Sequence, residues 1–214
     1  MDQRTPTFFD HMITHVDQAL RTVFGEPAGS GRTNPATTID EADLCSTDKA
    51  TSIQLMRVNH AGEVCAQALY QGQALTARSK ATREQMAQAA TEENDHLSWC
   101  RKRIDELGGH TSLFNPVWYT GSLAIGAASG LLGDKWSLGF LAETEHQVVK
   151  HLEGHLKRLP KDDSKSQAIL ETMKVDEARH QATAMNAGGS PLPDPVKKAM
   201  SLLSKVMTGT ASRI

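Results

Sequence analysis

The sequence predicts an all-α protein: a four-helix bundle of two helical hairpins joined by a crossover, with extra helices at the N- and C-termini. Three observations predict it. The chain is rich in Ala, Leu, Gln, Glu and Lys and only 5% aromatic, a composition that favours helix over strand. Four stretches repeat apolar residues in steps of three and four, the spacing of one helical face. Each of those stripes carries a carboxylate at its centre, and the stripes fall into two similar pairs.

Length and charge bound the reading further. A chain of 214 residues suits one domain with extensions, and 39% hydrophobic residues build a core but not a multi-span membrane protein. The net charge of −2 leaves no electrostatic footprint for nucleic acid. The three cysteines (Cys45, Cys65, Cys100) are odd in number and spaced like neither a zinc site nor a disulfide framework, so a reducing compartment is the simplest setting.

Taken in order, residues 1–24 form an N-terminal amphipathic helix. Within FFDHMITHVDQALRTVF (Phe8 to Phe24) the apolar residues fall at 9, 12, 13, 16, 20 and 23. The segment has no charged start, apolar core and cleavage site of a secretory signal. A mitochondrial precursor is disfavoured because Arg is sparse and Asp2, Asp10 and Asp17 are present. The expected location is therefore the cytoplasm. Residues 25–48, containing GEPAGSGRTNPATTID, read as a linker from their Gly, Pro, Ser and Thr content.

The main domain spans residues 49–214. Its first helix, Lys49 to Arg78, turns inward Ile53, Met56, His60, Glu63, Gln67, Tyr70 and Ala74. The second, Lys80 to Leu107, offers Met86, Ala89, Glu93, His96, Cys100 and Leu107, and stops at Gly108-Gly109. The third, Lys135 to Leu159, offers Leu138, Leu141, Glu145, Val148, Leu152 and Leu156 before Pro160. The fourth, Ser164 to Asn186, offers Leu170, Met173, Glu177, His180 and Ala184 before Gly188-Gly189. Glu63 is followed thirty residues on by Glu93-x-x-His96, and Glu145 thirty-two residues on by Glu177-x-x-His180. Similar spacing in both halves implies two hairpins set against each other, with residues 108–134 crossing between them.

Inside the crossover, VWYTGSLAIGAASGLL (Val117 to Leu132) carries no charge over sixteen residues. That falls short of the roughly 20 residues a bilayer span needs. Trp118, Tyr119, Lys135 and Trp136 suit a membrane–water interface, and GAASG permits close helix contact. Residues 195–207, PVKKAMSLLSKVM, place Val196, Met200, Leu203 and Met207 on one side and lysines elsewhere, the profile of an interfacial helix. The plainer reading packs both stretches on the bundle. The other is a protein resting on a membrane and drawing an apolar substrate from it.

The centred carboxylates need a chemical reason. Four buried carboxylates would repel one another and take up protons, whereas two divalent cations neutralise them. Residues three apart on a helix lie roughly 5–6 Å apart at Cβ, so each Glu-x-x-His can clasp one ion. Glu63 and Glu145 then serve as terminal ligands, while Glu93 and Glu177 can bridge. The candidate metal ligands, and through the metal pair the catalytic residues, are Glu63, Glu93, His96, Glu145, Glu177 and His180. Mixed carboxylate and imidazole ligation suits iron or manganese better than zinc or copper, and the arrangement is the signature of ferritin-like di-metal carboxylate bundles. One Glu-x-x-His is common on charged helices; two, each preceded by a Glu on an apolar stripe, are not.

Asp176 and Glu92, each one residue before a ligand Glu, are placed to accept the outer N–H of a ligand His, with Arg179 able to pair with either. His60 is either a seventh ligand or the donor to a buried partner. Glu143 competes with Glu145, but the apolar stripe selects Glu145 and puts Glu143 about 160° away. His146, His151 and His155 read as surface residues, with His151 the one nearest to a substrate role. Cys65 and Cys100 read as small buried residues.

Together these residues resemble the demethoxyubiquinone hydroxylase family of ubiquinone biosynthesis. RVNHAGEVCAQALYQGQ (Arg57 to Gln73) is similar to that family's first ligand segment, EENDHL (from Glu92) to the second, ETEHQVVKHLEGHL (Glu143 to Leu156) to the third and DEARH (from Asp176) to the fourth. The resemblance covers residues 49 to 207. It implies a ferritin-like di-iron monooxygenase with two iron ions per chain and O2 as co-substrate, the reductant being unspecified. It further implies hydroxylation of the ring of a polyprenylated demethoxyubiquinol, one oxygen atom being retained and the other leaving as water. A peripheral place on the cytoplasmic face of the cell membrane follows, with other ubiquinone-biosynthesis proteins and a second copy of the chain as partners. The rival readings are a ferritin-like iron oxidase or iron-binding protein, and a helical interaction protein without metal. Electron-transfer rubrerythrins are disfavoured because the cysteine pairs they need are missing.

Overall fold

The computed structural model describes residues 7–214 and contains, among them, seven α-helices and no strand. They are α1 (Phe8–Phe24), α2 (Ser46–Thr76), α3 (Lys80–Glu106), α4 (Asn115–Leu131), α5 (Asp134–Leu156), α6 (Ser164–Asn186) and α7 (Asp194–Ala211). Residues 1–6 of the N-terminal segment, and the side chain of Met12 on its apolar stripe, lie outside the described residues.

Local chemistry sets the helix ends. The hydroxyl of Ser79 caps α3 by accepting from the backbone N–H of Thr82 (3.0 Å), and the Asp163 carboxylate caps α6 by accepting from Ser166 (3.1 Å). Gly108 and Gly188 adopt positive φ (74° and 102°) just past α3 and α6, where a side chain would strain the backbone. The next amide in each case closes the turn, Gly109 onto Ile104 (2.9 Å) and Gly189 onto Ala184 (3.1 Å).

Antiparallel α2–α3 and α5–α6 form the two hairpins, and α3 meets α6 across the bundle. The crossover is not an extended connection: most of it is α4, which lies along the outer face of α2. Backbones meet there at the small-residue stripe. A Cβ on Gly126 would overlap the carbonyl oxygen of Leu69, and one on Gly72 would overlap that of Leu123. The boundaries expected from the sequence shift slightly. The last linker residues, 46–48, belong to α2, because Cys45 Sγ already caps that helix, and the C-terminal helix runs from Asp194 to Ala211.

The α2 helix is buried on both faces, which its single sequence stripe understates. Met56, His60, Glu63, Gln67 and Tyr70 face the bundle. On the other side Val64 and Ala68 pack with Tyr119, Leu123, Ala19 and Val23, while Val58 and Ala61 pack with Trp118, Met207 and Ala211. Thus α1, α4 and α7 all cover the outer face of α2. Two apolar layers fill the bundle itself. One holds Met56, Cys100, Ile104, Leu152, Leu170 and Met173; the other holds Tyr70, Met86, Ala89, Leu138, Leu141 and Ala184. In each of the four helices, the centred carboxylate falls between its two layers.

Candidate metal centre

Between the layers, Glu63 of α2, Glu93 and His96 of α3, Glu145 of α5, and Glu177 and His180 of α6 converge, each buried to 7% exposure or less. Glu93 and Glu177 occupy the middle, and each spans both imidazoles. Glu93 sets Oε2 3.0 Å from His96 Nδ1 and Oε1 3.0 Å from His180 Nδ1. Glu177 sets Oε1 3.1 Å from His96 Nδ1 and Oε2 3.2 Å from His180 Nδ1. Glu63 lies at the His96 side, 3.9 Å away. Glu145 sits at the other side, under the electrostatic influence of Glu177, Glu93 and His180, and accepts a hydrogen bond from the Tyr70 hydroxyl. The two hairpins thus deliver matching halves: one terminal Glu and one His each, with two central carboxylates shared.

The electrostatics are those of a site built for cations. Burial, followed by repulsion from Glu93 and Glu177, drives the Glu63 carboxyl well above the usual carboxylate range. Glu145 moves the same way for the same reasons. Burial works against charge on His180, but the carboxylates of Glu177 and Glu93 outweigh it and push the imidazole up to about 12. His96 is raised likewise, and the charge it gains in turn holds Glu93 low against the effect of burial. Protons therefore hold the positions that metal ions would take. Glu93 Oε1 is buried, with His180 Nδ1 beside it at 3.0 Å. Ligand atoms of Glu63, Glu93, His96 and Glu177 all lie within 4.8 Å of one another, close enough to surround one ion. A donor set of buried carboxylates and imidazoles fits a metal such as iron.

Supporting partners hold the ring orientations. His96 Nε2 donates to Asp176 Oδ2 (2.9 Å), and His180 Nε2 donates to Glu92 Oε2 (3.1 Å). The pairing crosses between helices, since the acid beside each central Glu serves the His of the opposite helix. Arg179 donates to both acids, to Glu92 at 2.6 Å and to Asp176 at 2.8 Å.

Other candidates resolve differently. Neither ring nitrogen of His60 has a hydrogen-bond partner, so the buried partner expected for it is absent among the described residues; burial first, and Arg101 second, lower its pKa to about 3. Glu143 turns away from the site, 3.6 Å from Lys197 of α7. His155, expected at the surface, is buried and hydrogen-bonded through Nδ1 to Asn59 Oδ1 (2.9 Å), because α2 covers that face of α5. Cys65, expected to be buried, is half-buried, its thiol pushed up to about 11 by its surroundings, while Cys100 is buried and packs against Met173.

The linker supplies residues that the sequence reading missed. It runs back over the open edge between α3 and α6. Ser30 donates to Asp95 through both its amide (3.0 Å) and its hydroxyl. Arg32 reaches Asp95 (3.2 Å) and Asp176 (2.7 Å), with Nη2 3.3 Å from His96 Nε2. Its guanidinium lies 5.0 Å from the centre of the Trp99 ring, which also flanks His96. No periodicity marks these residues, because they belong to no helix.

An all-helical bundle with paired Glu and Glu-x-x-His sets around two central carboxylates defines the class: a ferritin-like helical bundle with a buried carboxylate–histidine cluster. Residues 50–211 match the family model described as "Ubiquinone biosynthesis protein COQ7", and the chain belongs to that family. Among its relatives, the 3-demethoxyubiquinol 3-hydroxylase of Nitrosococcus oceani is 57% identical over 211 residues, covering 99% of this chain and 99% of the relative. Proteins of the same name from Chromobacterium violaceum and Nitrosospira multiformis are each 57% identical, covering 96% and 94% of this chain and 99% and 97% of the relatives. The family expected from the four ligand segments is the family found.

Proposed function

We propose that this chain hydroxylates the ring of a polyprenylated demethoxyubiquinol with O2, using two iron ions held by Glu63, Glu93, His96, Glu145, Glu177 and His180. The observation that carries the reading is the double span of Glu93 and Glu177, each with one oxygen toward either imidazole. The names of the near full-length relatives support the substrate. Bound iron would supply the electrons and open coordination that O2 activation needs.

The protein's own part is positional. Asp176 and Glu92 fix the outer nitrogens of the two imidazoles, so that Nδ1 of each faces the centre. Tyr70 holds Glu145. The two apolar layers exclude water on either side, which strengthens every charge interaction in the site.

A membrane surface as partner is supported by apolar exposure on the three helices that cover α2. Ile13, Val16 and Leu20 on α1, Val117 and Leu131 on α4, and Leu202, Leu203 and Val206 on α7 are all more than half exposed. None of the described helices is long and apolar enough to cross a membrane. We read the chain as lying on the cytoplasmic face, where a quinol with a long apolar tail can enter from the bilayer.

The test is iron content of the purified chain beside Glu177→Ala, with product analysis on a short-tailed demethoxyquinol. About two irons per chain, lost together with product in the variant, is the expected result. Two irons without product would point to an iron oxidase, and no iron after anaerobic reconstitution would sink the metal reading.

A further inference from the structure

We propose that Arg32, carried by the segment between α1 and α2, is a positioning residue that makes the His96 side of the metal centre depend on that segment. The inference rests on the metal-pair reading above and assigns the two halves of the site different supports.

Within the bundle the halves match: Asp176 holds His96, Glu92 holds His180, and Arg179 bridges both acids. The segment breaks that equivalence. Arg32 adds a second cation to Asp176 (2.7 Å), on the oxygen that accepts from His96. The same guanidinium binds Asp95 and lies over Trp99, so its plane is set by contacts on separate edges and a face. Among the described residues, nothing equivalent stands behind Glu92.

The segment is itself held in place at several points, which makes Arg32 a fixed group and not a passing surface charge. Arg101 donates to Gly25 O (2.7 Å) and Asn94 to Ala28 O (2.9 Å). A Cβ on Gly29 would overlap the Asp95 carboxylate, so the backbone passes that acid as closely as it can. Ala36 is buried in the apolar layer that holds Met56, together with Leu55 and Trp99. Glu41 is clamped by both terminal nitrogens of Arg103 (2.7 and 3.0 Å). The chain thus runs from α1, across the His96 side of the centre, to the start of α2. Withdrawing it would leave Asp176 with Arg179 as its cation and free its carboxylate to turn away from His96.

The test titrates ferrous iron anaerobically into the full-length wild-type chain, Arg32→Ala and Arg32→Gln, with thermal melts of the iron-free proteins. The expected result is one iron bound as in wild type and a second bound roughly 10–100-fold more weakly in both variants, the scale of losing an outer-shell partner. Millimolar guanidinium added to Arg32→Ala should recover the second iron. Arg32 is one-third exposed, and Asp95 and Asp176 keep Ser30 and Arg179 as partners, so the iron-free melts should fall only slightly and by less than the change in iron binding implies. Unchanged affinity for both irons would overturn the proposal. So would equal weakening at both positions with a lower iron-free melting temperature, which would make the segment a general brace. A wild-type chain that binds no iron would instead fail the metal reading itself.

Discussion

At the scale of single residues, the proposed centre depends on the side chains that hold the six converging residues as much as on those residues themselves. Tyr70 is a buried phenol whose proton serves Glu145 alone. Tyr70→Phe keeps the packing and removes that donor, so turnover should fall by about 10-fold or more while the far-ultraviolet circular dichroism stays the same. Unchanged turnover would show that Glu145 is held by its carboxylate neighbours. Arg103 matters for stability instead. Its guanidinium is 1% exposed and binds Asp163 (2.8 Å), Glu106 (3.2 Å) and Ser166 (3.0 Å) besides Glu41. Arg103→Met strands the buried Asp163 carboxylate and should cost about 3–5 kcal/mol in urea unfolding.

The same cluster predicts a pH dependence. The hydrogen bond from Arg103, opposed by burial and helped by Lys165, holds the Glu41 carboxyl at about 2. A depressed carboxyl stabilises the fold above its unfolded value, and that contribution is lost as pH falls from the ordinary 4.5 through about 2. Glu41→Gln lacks the contribution at every pH. Melting temperatures of the two proteins should therefore differ at neutral pH and converge on acidification. A gap that persists undiminished in acid would mean that Glu41 acts through packing and not charge.

At the scale of helices, the α2–α4 contact is where small changes should tell most. Gly126 meets the α2 backbone directly, so Gly126→Leu must push the helices apart, at about 1–3 kcal/mol or more. Gly121 on the same helix has open space where its Cβ would be. Gly121→Ala should stabilise by roughly 0.5–1 kcal/mol through helix propensity alone. Equilibrium unfolding of both variants separates the effect of close packing from that of glycine in a helix.

At the scale of the whole molecule, metal and membrane should act through separate surfaces. Iron at 100 times its dissociation constant should stabilise the chain by about 2.7 kcal/mol per site, and removal by a chelator should reverse it. Ile13→Glu with Leu20→Glu alters only exposed positions on α1. That pair should reduce co-sedimentation with phospholipid vesicles while leaving iron content unchanged. Loss of iron in the pair would mean that α1 communicates with the centre, and full vesicle binding would move the membrane surface elsewhere.

The sequence alone determined the helices, their inward stripes and the six residues that converge, because a face repeating every three to four residues is local information. Glycine stops after α3 and α6, the choice of Glu145 over Glu143, and the pairing of Asp176 and Glu92 with ring nitrogens were legible for the same reason. Tertiary structure decided what has no local period. It turned the linker into a strap that brings Arg32 to Asp176, buried His155 under α2, left His60 without a partner, and made the outer face of α2 a second core beneath α1, α4 and α7. Those outcomes depend on residues far apart in the chain meeting across a packed interface, and no spacing within one helix records which surface will cover it.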